Sequence, residues 1–275
     1  MDLQQFKGGF MQGSTFVSAI EYNCRKKSAL FDGNKAKYAV RSMYAGVILT
    51  LGTAAGVVAA DTLNMVHPAL GRFAFPFMFA WGLVYILSLN AELTTSNMMY
   101  LTAGTFLKKI KWHKALAILM YCTLFNLLGS MLAAWLFDQT SAFAGLNVHN
   151  YLPSLVEHKL ERGSRLVLFE GIMANLYVNV AVMAYLLLKD QMAKIVGVFA
   201  AVYMFVFLAN EHVAANFASF SLVAFNPIAG EVGHFEMLNI LRHCSIAFFA
   251  NWVGGGLLIG LPYAFLNKDE ERYVD

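Results

Sequence analysis

Two short stretches place groups that could do chemistry inside apolar surroundings. Glu211-His212-Val213-Ala214-Ala215-Asn216-Phe217 sits in the middle of one hydrophobic run, and Ala91-Glu92-Leu93-Thr94-Thr95-Ser96-Asn97 in another. A charge at bilayer depth costs ~2.5–3.5 kcal/mol on insertion scales, so such residues are functional candidates. Only three of the 17 acids, Glu92, Glu170 and Glu211, fall within apolar spans. For Glu92 and Glu211 the expected role is structural: carboxylates satisfied by backbone amides where a helix breaks and restarts. His212 is the one histidine well inside a span. His67, His113, His149, His158 and His234 fall in loops, and His243 at a span's edge. A lone buried histidine is most often a satisfied structural residue, but one placed at an interruption of a membrane helix points to function. Histidine changes charge most readily near neutral pH. It could therefore share a proton with a weak-acid anion and let it cross an apolar constriction as the neutral acid. Neither Cys nor His recurs at ligand spacing around it, so neither a metal nor another cofactor is expected.

The elements that must position these groups are membrane helices. Of 275 residues, 59% are hydrophobic and 13% charged, about half the charge of a soluble domain. Six stretches could cross a bilayer, which takes about 20 helical residues: 38–60, 73–106, 115–137, 166–188, 193–225 and 244–266. The second and fifth are over-long and interrupted by polar residues. This divides the chain into an N-terminal segment (1–37), a six-helix membrane domain (38–266) and a tail (267–275). No cleavable signal peptide is visible in the polar start. Of the 20 Lys and Arg, 15 fall in the N-terminal segment, the 2–3 and 4–5 loops and the tail or at the span edges beside them. Positive charge stays cytoplasmic, which puts both termini inside a cell membrane. It also accounts for the net charge of +3 without a nucleic-acid partner. Phe6, Phe10, Val17, Ile20 and Cys24 fit helical spacing ahead of Arg25-Lys26-Lys27, as in an amphipathic helix on the inner surface. Cys24, Cys122 and Cys244 imply no disulfide framework.

The chain also repeats itself. Glu92 and Asn97 match Glu211 and Asn216 at an offset of 119. Gly46 matches Gly171, and Asn126-Leu127-Leu128-Gly129 matches Asn251-Trp252-Val253-Gly254, both at an offset of 125. Two halves of three spans each must point in opposite directions, an inverted repeat whose paired broken helices mark a substrate site. Thr94, Thr95 and Ser96 are suitable N-caps for a restarting half-helix, and free N–H groups there favour anions. Gly52/Gly56 and Gly256/Gly260 have the spacing of close helix packing.

Together these motifs resemble the formate–nitrite transporter family. They are Asn90-Ala91-Glu92-Leu93-Thr94-Thr95-Ser96, Glu211-His212-Val213-Ala214-Ala215-Asn216-Phe217, Ile172-Met173-Ala174-Asn175 and Ala250-Asn251-Trp252-Val253-Gly254-Gly255-Gly256, and the likeness spans about residues 5–266. It implies an all-α, aquaporin-like protomer with helices 2 and 5 broken, assembled as a homopentamer in the lipid bilayer. Each protomer would pass small monovalent anions such as formate, nitrite, hydrosulfide or lactate, often with a proton. By motif position His212 would be the central histidine and Thr95 the hydroxyl opposite it. Leu83 and Leu93 would form the cytoplasmic-side constriction and Phe79 and Phe205 the periplasmic-side one. Asn175 and Asn251 would be polar positions near the pore, and Lys159 the basic residue that attracts anions at the outer vestibule. Asn90, Thr94, Asn210, Val213 and Phe217 depart from the family pattern.

Other classes fit less well. A neutral-solute channel of aquaporin type would carry paired Asn-Pro-Ala half-helices, and Asn226-Pro227-Ile228 occurs once. An ammonium channel would want two facing histidines. A membrane enzyme would need a nucleophile–base pair or metal ligands at depth, and beside Ser219 and Ser221 none is legible.

Overall fold

A computed structural model describes residues 15–268. Phe6 and Phe10 of the expected amphipathic helix, and most of the tail, lie outside them. The described chain is helical: α1 Thr15–Gly33, α2 Lys35–Asn64, α3 Gly71–Ser88, α4 Thr94–Phe106, α5 Trp112–Asp138, α6 Tyr151–Glu161, α7 Ser164–Leu187, α8 Gln191–Phe207, α9 Val213–Ala224 and α10 Met237–Asn251. The last continues through a π-helical stretch, Trp252–Gly260, into α11 Leu261–Leu266. Among the described residues, five helices are long and apolar enough to cross a membrane: α2, α3, α5, α7 and the run Met237–Leu266. The stretch expected as the interrupted span 5 holds two shorter helices, α8 and α9, and α4 follows α3 after a gap at residues 89–93.

Each gap is closed by the same backbone device. Asn90 and Ala209, 119 positions apart, both adopt left-handed φ, at 54° and 55°. A left-handed residue stops a helix and lets the chain turn away. Asparagine tolerates this conformation, whereas alanine is strained in it. The C-terminal end of α3 opens onto one cavity, and that of α8 onto another at the far end of α3, where Phe75 and Phe79 lie. The two interrupted segments therefore run in opposite directions.

Glycines at matched places let the helices touch. A Cβ on Gly46 would come within 2.0 Å of the Asn126 carbonyl, and one on Gly129 within 2.0 Å of the Met43 carbonyl. In the second half, a Cβ on Gly254 would lie 2.2 Å from the Ile172 carbonyl and one on Gly171 2.6 Å from Ala250. Contact of α2 with α5, and of α7 with the Met237–Leu266 run, thus requires the missing side chains. Gly56 and Gly260 also sit at close contacts, against Phe75 and Met99.

The candidate pathway between the two helix breaks

The two breaks meet. His212 is the residue just before α9, and its Nδ1 accepts a hydrogen bond from the Ala215 amide at 3.1 Å, capping that helix. Its Nε2 lies 2.8 Å from Thr95 Oγ1 in the first turn of α4. With Nδ1 occupied as an acceptor, the neutral ring carries its proton on Nε2 and donates it to Thr95. The corresponding residue before α4 is Leu93, which makes no side-chain cap. The expected capping by Thr94, Thr95 or Ser96 does not occur. The Thr94 hydroxyl pairs with that of Thr123 at 2.6 Å, Thr95 turns to His212, and Ser96 Oγ is buried without a partner among the described residues.

Two asparagines do the capping work in matched fashion. Asn126 Oδ1 accepts from the Thr94 amide at 2.9 Å, and its Nδ2 donates to the Ser42 and Glu92 carbonyls, each at 2.8 Å. Asn251 Oδ1 accepts from the Val213 amide at 2.8 Å, and its Nδ2 donates to the Gly171 and Glu211 carbonyls at 2.7 and 2.9 Å. Asn175 braces the centre, with Nδ2 donating to the Thr95 carbonyl at 3.2 Å and the Asn251 carbonyl at 2.6 Å. Asn179, which the sequence reading passed over, reaches the Thr95 carbonyl at 3.4 Å.

The buried acids are satisfied by side chains, which corrects the expectation of backbone amides. Glu92 accepts from Lys27 at 2.6 Å, Asn97 at 3.1 Å and the Tyr38 hydroxyl at 3.2 Å. Glu211 accepts from Lys159 at 2.8 Å, Arg162 at 2.5 Å, Asn216 at 3.0 Å and His243 at 3.0 Å. Arg162 also binds Glu170 at 2.6 Å and the Ala209 carbonyl at 2.8 Å. Lys27 is 5% exposed, so the Arg25-Lys26-Lys27 run is not a uniformly solvated face. His243 is fully buried rather than at a span's edge. The helix that carries it begins at Met237, ahead of the span expected from 244, and the mostly apolar Met237-Leu238-Asn239-Ile240-Leu241 is its signal in the sequence.

Two cavities approach the His212–Thr95 contact from opposite ends of α3. One, of about 420 Å³, is lined by Lys26, Lys27, Asn90, Glu92, Leu93 and Ser96. The other, of about 340 Å³, is lined by Arg72, Phe79, His158, Lys159, Arg162 and Phe205. Phe79, Leu83, Leu93, Thr95, Phe205 and His212 are all buried. Phe79 and Phe205 meet edge to face with centroids 6.3 Å apart, and Phe205 lies 5.6 Å from the His212 ring. Leu83 and Leu93 are buried in the same core, Leu93 at the floor of the first cavity. The second cavity has four basic or potentially basic side chains in its lining, Arg72, His158, Lys159 and Arg162, of which Lys159 and Arg162 are paired with Glu211 and Glu170 behind the wall.

Comparison with known proteins agrees across the chain. Residues 14–265 match the profile of the formate/nitrite transporter family. The "Uncharacterized transporter YwcJ" of Bacillus subtilis (strain 168) is 28% identical over 92% of this chain and 98% of its own. Among solved structures, an "FNT family ion channel" superimposes with a TM-score of 0.83 at 22% identity, covering 91% of this chain and 98% of that one. A "Pentameric formate channel with formate bound" gives 0.71 at 20% identity, covering 84% and 96%.

Proposed function

The chain belongs to the formate/nitrite transporter family, and from that premise we propose that it passes small monovalent weak-acid anions across the cell membrane, formate first among them. The observation that carries this reading is the His212–Thr95 contact, at 2.8 Å, between two cavities that stop at apolar side chains. An anion drawn into the basic cavity loses its water at Phe79 and Phe205. Beyond them, Nε2–H of His212 is the donor able to turn from Thr95 to the guest. A weak-acid anion that pairs here with a proton taken up from the water of the same cavity passes Leu83 and Leu93 as a neutral molecule and releases that proton beyond them, while the neutral His212 supplies the hydrogen bond and keeps its own Nε2 proton. Lys159 and Arg162 supply the attraction at the mouth, while Glu211 and Glu92 hold those mouths in shape. The excess of Lys and Arg in one set of connections supports cytoplasmic termini. The fold shared with a pentameric formate channel supports a homopentamer with one pathway in each protomer.

The test is a panel in proteoliposomes at two pH values: formate, acetate, lactate, nitrite, hydrosulfide, glycerol and water. Formate flux that rises as pH falls, and loses that dependence in His212→Phe, is the expected result. Unchanged flux and pH profile in the variant removes the proton role, and passage of glycerol or water in place of anions removes the substrate class.

A further inference from the structure

Away from both cavities, an apolar groove of about 520 Å³ opens along α4, α5 and the Met237–Leu266 run. Leu101, Leu119, Phe248, Phe249, Trp112 and Trp252 are among its walls. At one end it meets a basic pocket holding Lys108, Lys109, Lys111 and His113, and Thr105 and Trp112 line both. Among the described residues, no acid lines either one. Two nearby lysines are neutralised: Lys109 by Glu21 at 2.7 Å, and Lys114 by Asp32. Lys108 and Lys111 are exposed and have no ion pair among the described residues. Lys268 adds a third cation, its ammonium 5.9 Å over the Phe106 ring at the groove wall.

A lysine near the end of α4 complements the helix dipole, which accounts for one amine but not for two uncompensated ones above an apolar trough. The pattern of cations over a hydrophobic slot matches an amphiphile with a negative head. Trp112, 68% exposed at the junction, has the amphipathic ring that settles at headgroup level. A zwitterionic lipid would fill the trough but leave the amines uncompensated. We propose that this groove binds an anionic phospholipid, with an acyl chain along Trp252 and Phe249 and the phosphate at Lys108 and Lys111. Basic pockets between membrane helices on the lysine-rich side recognise such headgroups. The inference is independent of which solute the pathway carries.

The experiment uses the full chain in vesicles, with Trp81→Phe and Trp135→Phe so that the remaining indoles are the two in the groove. Brominated phosphatidylglycerol should quench them at lower mole fraction than brominated phosphatidylcholine. Each lysine contributes about fivefold to that preference, so Lys108→Gln and Lys111→Gln should lower it stepwise, as should high salt. Should the tryptophan variant fail to fold, native mass spectrometry of the otherwise unaltered chain, with and without the lysine substitutions, counts retained phosphatidylglycerol instead. Equal quenching by both headgroups, or equal retention with and without the lysines, overturns the proposal in favour of ordinary boundary lipid. Indoles shielded from both brominated lipids overturn it in favour of a second copy of the chain covering the groove.

Discussion

The Lys159 ammonium lies 2.8 Å from the Glu211 carboxylate, with Lys159 only 9% exposed. In the other half Lys27 lies 2.6 Å from Glu92. Helices α1 and α6 thus each send one lysine to the carboxylate beside a helix break. Lys159 lines the basic cavity, but its charge is shared with a buried acid rather than offered free to solvent. Attraction of anions and integrity of the break therefore draw on the same side chain.

Removing one partner of a buried ion pair leaves the other uncompensated, at a cost of up to ~3–5 kcal/mol. Glu211 keeps Arg162 and His243, which softens the loss. Lys159→Met is expected to lower the melting temperature in detergent, and Lys159→Met with Glu211→Gln to lower it less than the two single changes combined. Anion uptake by Lys159→Met should also fall most at low ionic strength, where attraction is least screened. A variant as stable as wild type, with uptake unchanged at every salt concentration, would remove both roles.

Asn126 and Asn251 should prove equally sensitive. Asn251→Leu would strand the Val213 amide and the Glu211 carbonyl, and would remove a second hydrogen bond from the Gly171 carbonyl inside α7. Each buried polar group left unpaired costs ~1–3 kcal/mol. Asn126→Leu would likewise strand the Thr94 amide, while the Glu92 carbonyl would keep the Cys122 thiol at 3.2 Å. Thermal unfolding is expected to show comparable large losses for both. A loss at only one would mean that the matched bonding is not matched in energy.

The composition, the repeat and the Glu-His pair were readable because they rest on residue type and spacing. Period alone could not tell that α8 and α9 are separate short helices, since the apolar run from 193 to 225 continues across the break with only Asn210, Glu211 and His212 to mark it. The pairing of Lys27, Tyr38 and His243 with the buried carboxylates is illegible in the sequence for a different reason. Each reaches a carboxylate more than 30 positions away, and long-range pairing leaves no local pattern. The glycine offsets were legible as repetition, but their meaning as helix contacts needed the neighbours' backbone positions.

Those contacts give a sharp contrast. Gly46→Ala and Gly254→Ala would each push a methyl into a carbonyl, 2.0 and 2.2 Å away, where the backbone cannot yield as a flexible side chain would. Overpacking of this kind costs ~1–3 kcal/mol or more. Gly33, at the end of α1, has open space around its would-be Cβ, so Gly33→Ala should be neutral or stabilising by ~0.4–1 kcal/mol. Melting temperatures of the three variants test the ranking, and a Gly46→Ala protein as stable as Gly33→Ala would contradict the close approach of α2 and α5.

Thr95 decides whether the central histidine has a working partner. Its hydroxyl accepts the Nε2 proton of His212 at 2.8 Å, while its carbonyl is pinned by Asn175. A passing anion must compete with that hydroxyl for the same proton. Thr95→Val keeps the volume and the backbone bond but leaves Nε2–H without a resting acceptor. Loss of a buried hydrogen bond of about 1.4 kcal/mol changes a rate about tenfold. Formate flux should change by about that factor in Thr95→Val and its pH profile should move with it, whereas Thr95→Ser, which restores the hydroxyl, should stay within about twofold of wild type. If valine and serine behave alike, the hydroxyl takes no part in transfer, and His212 serves only to cap α9 through Nδ1.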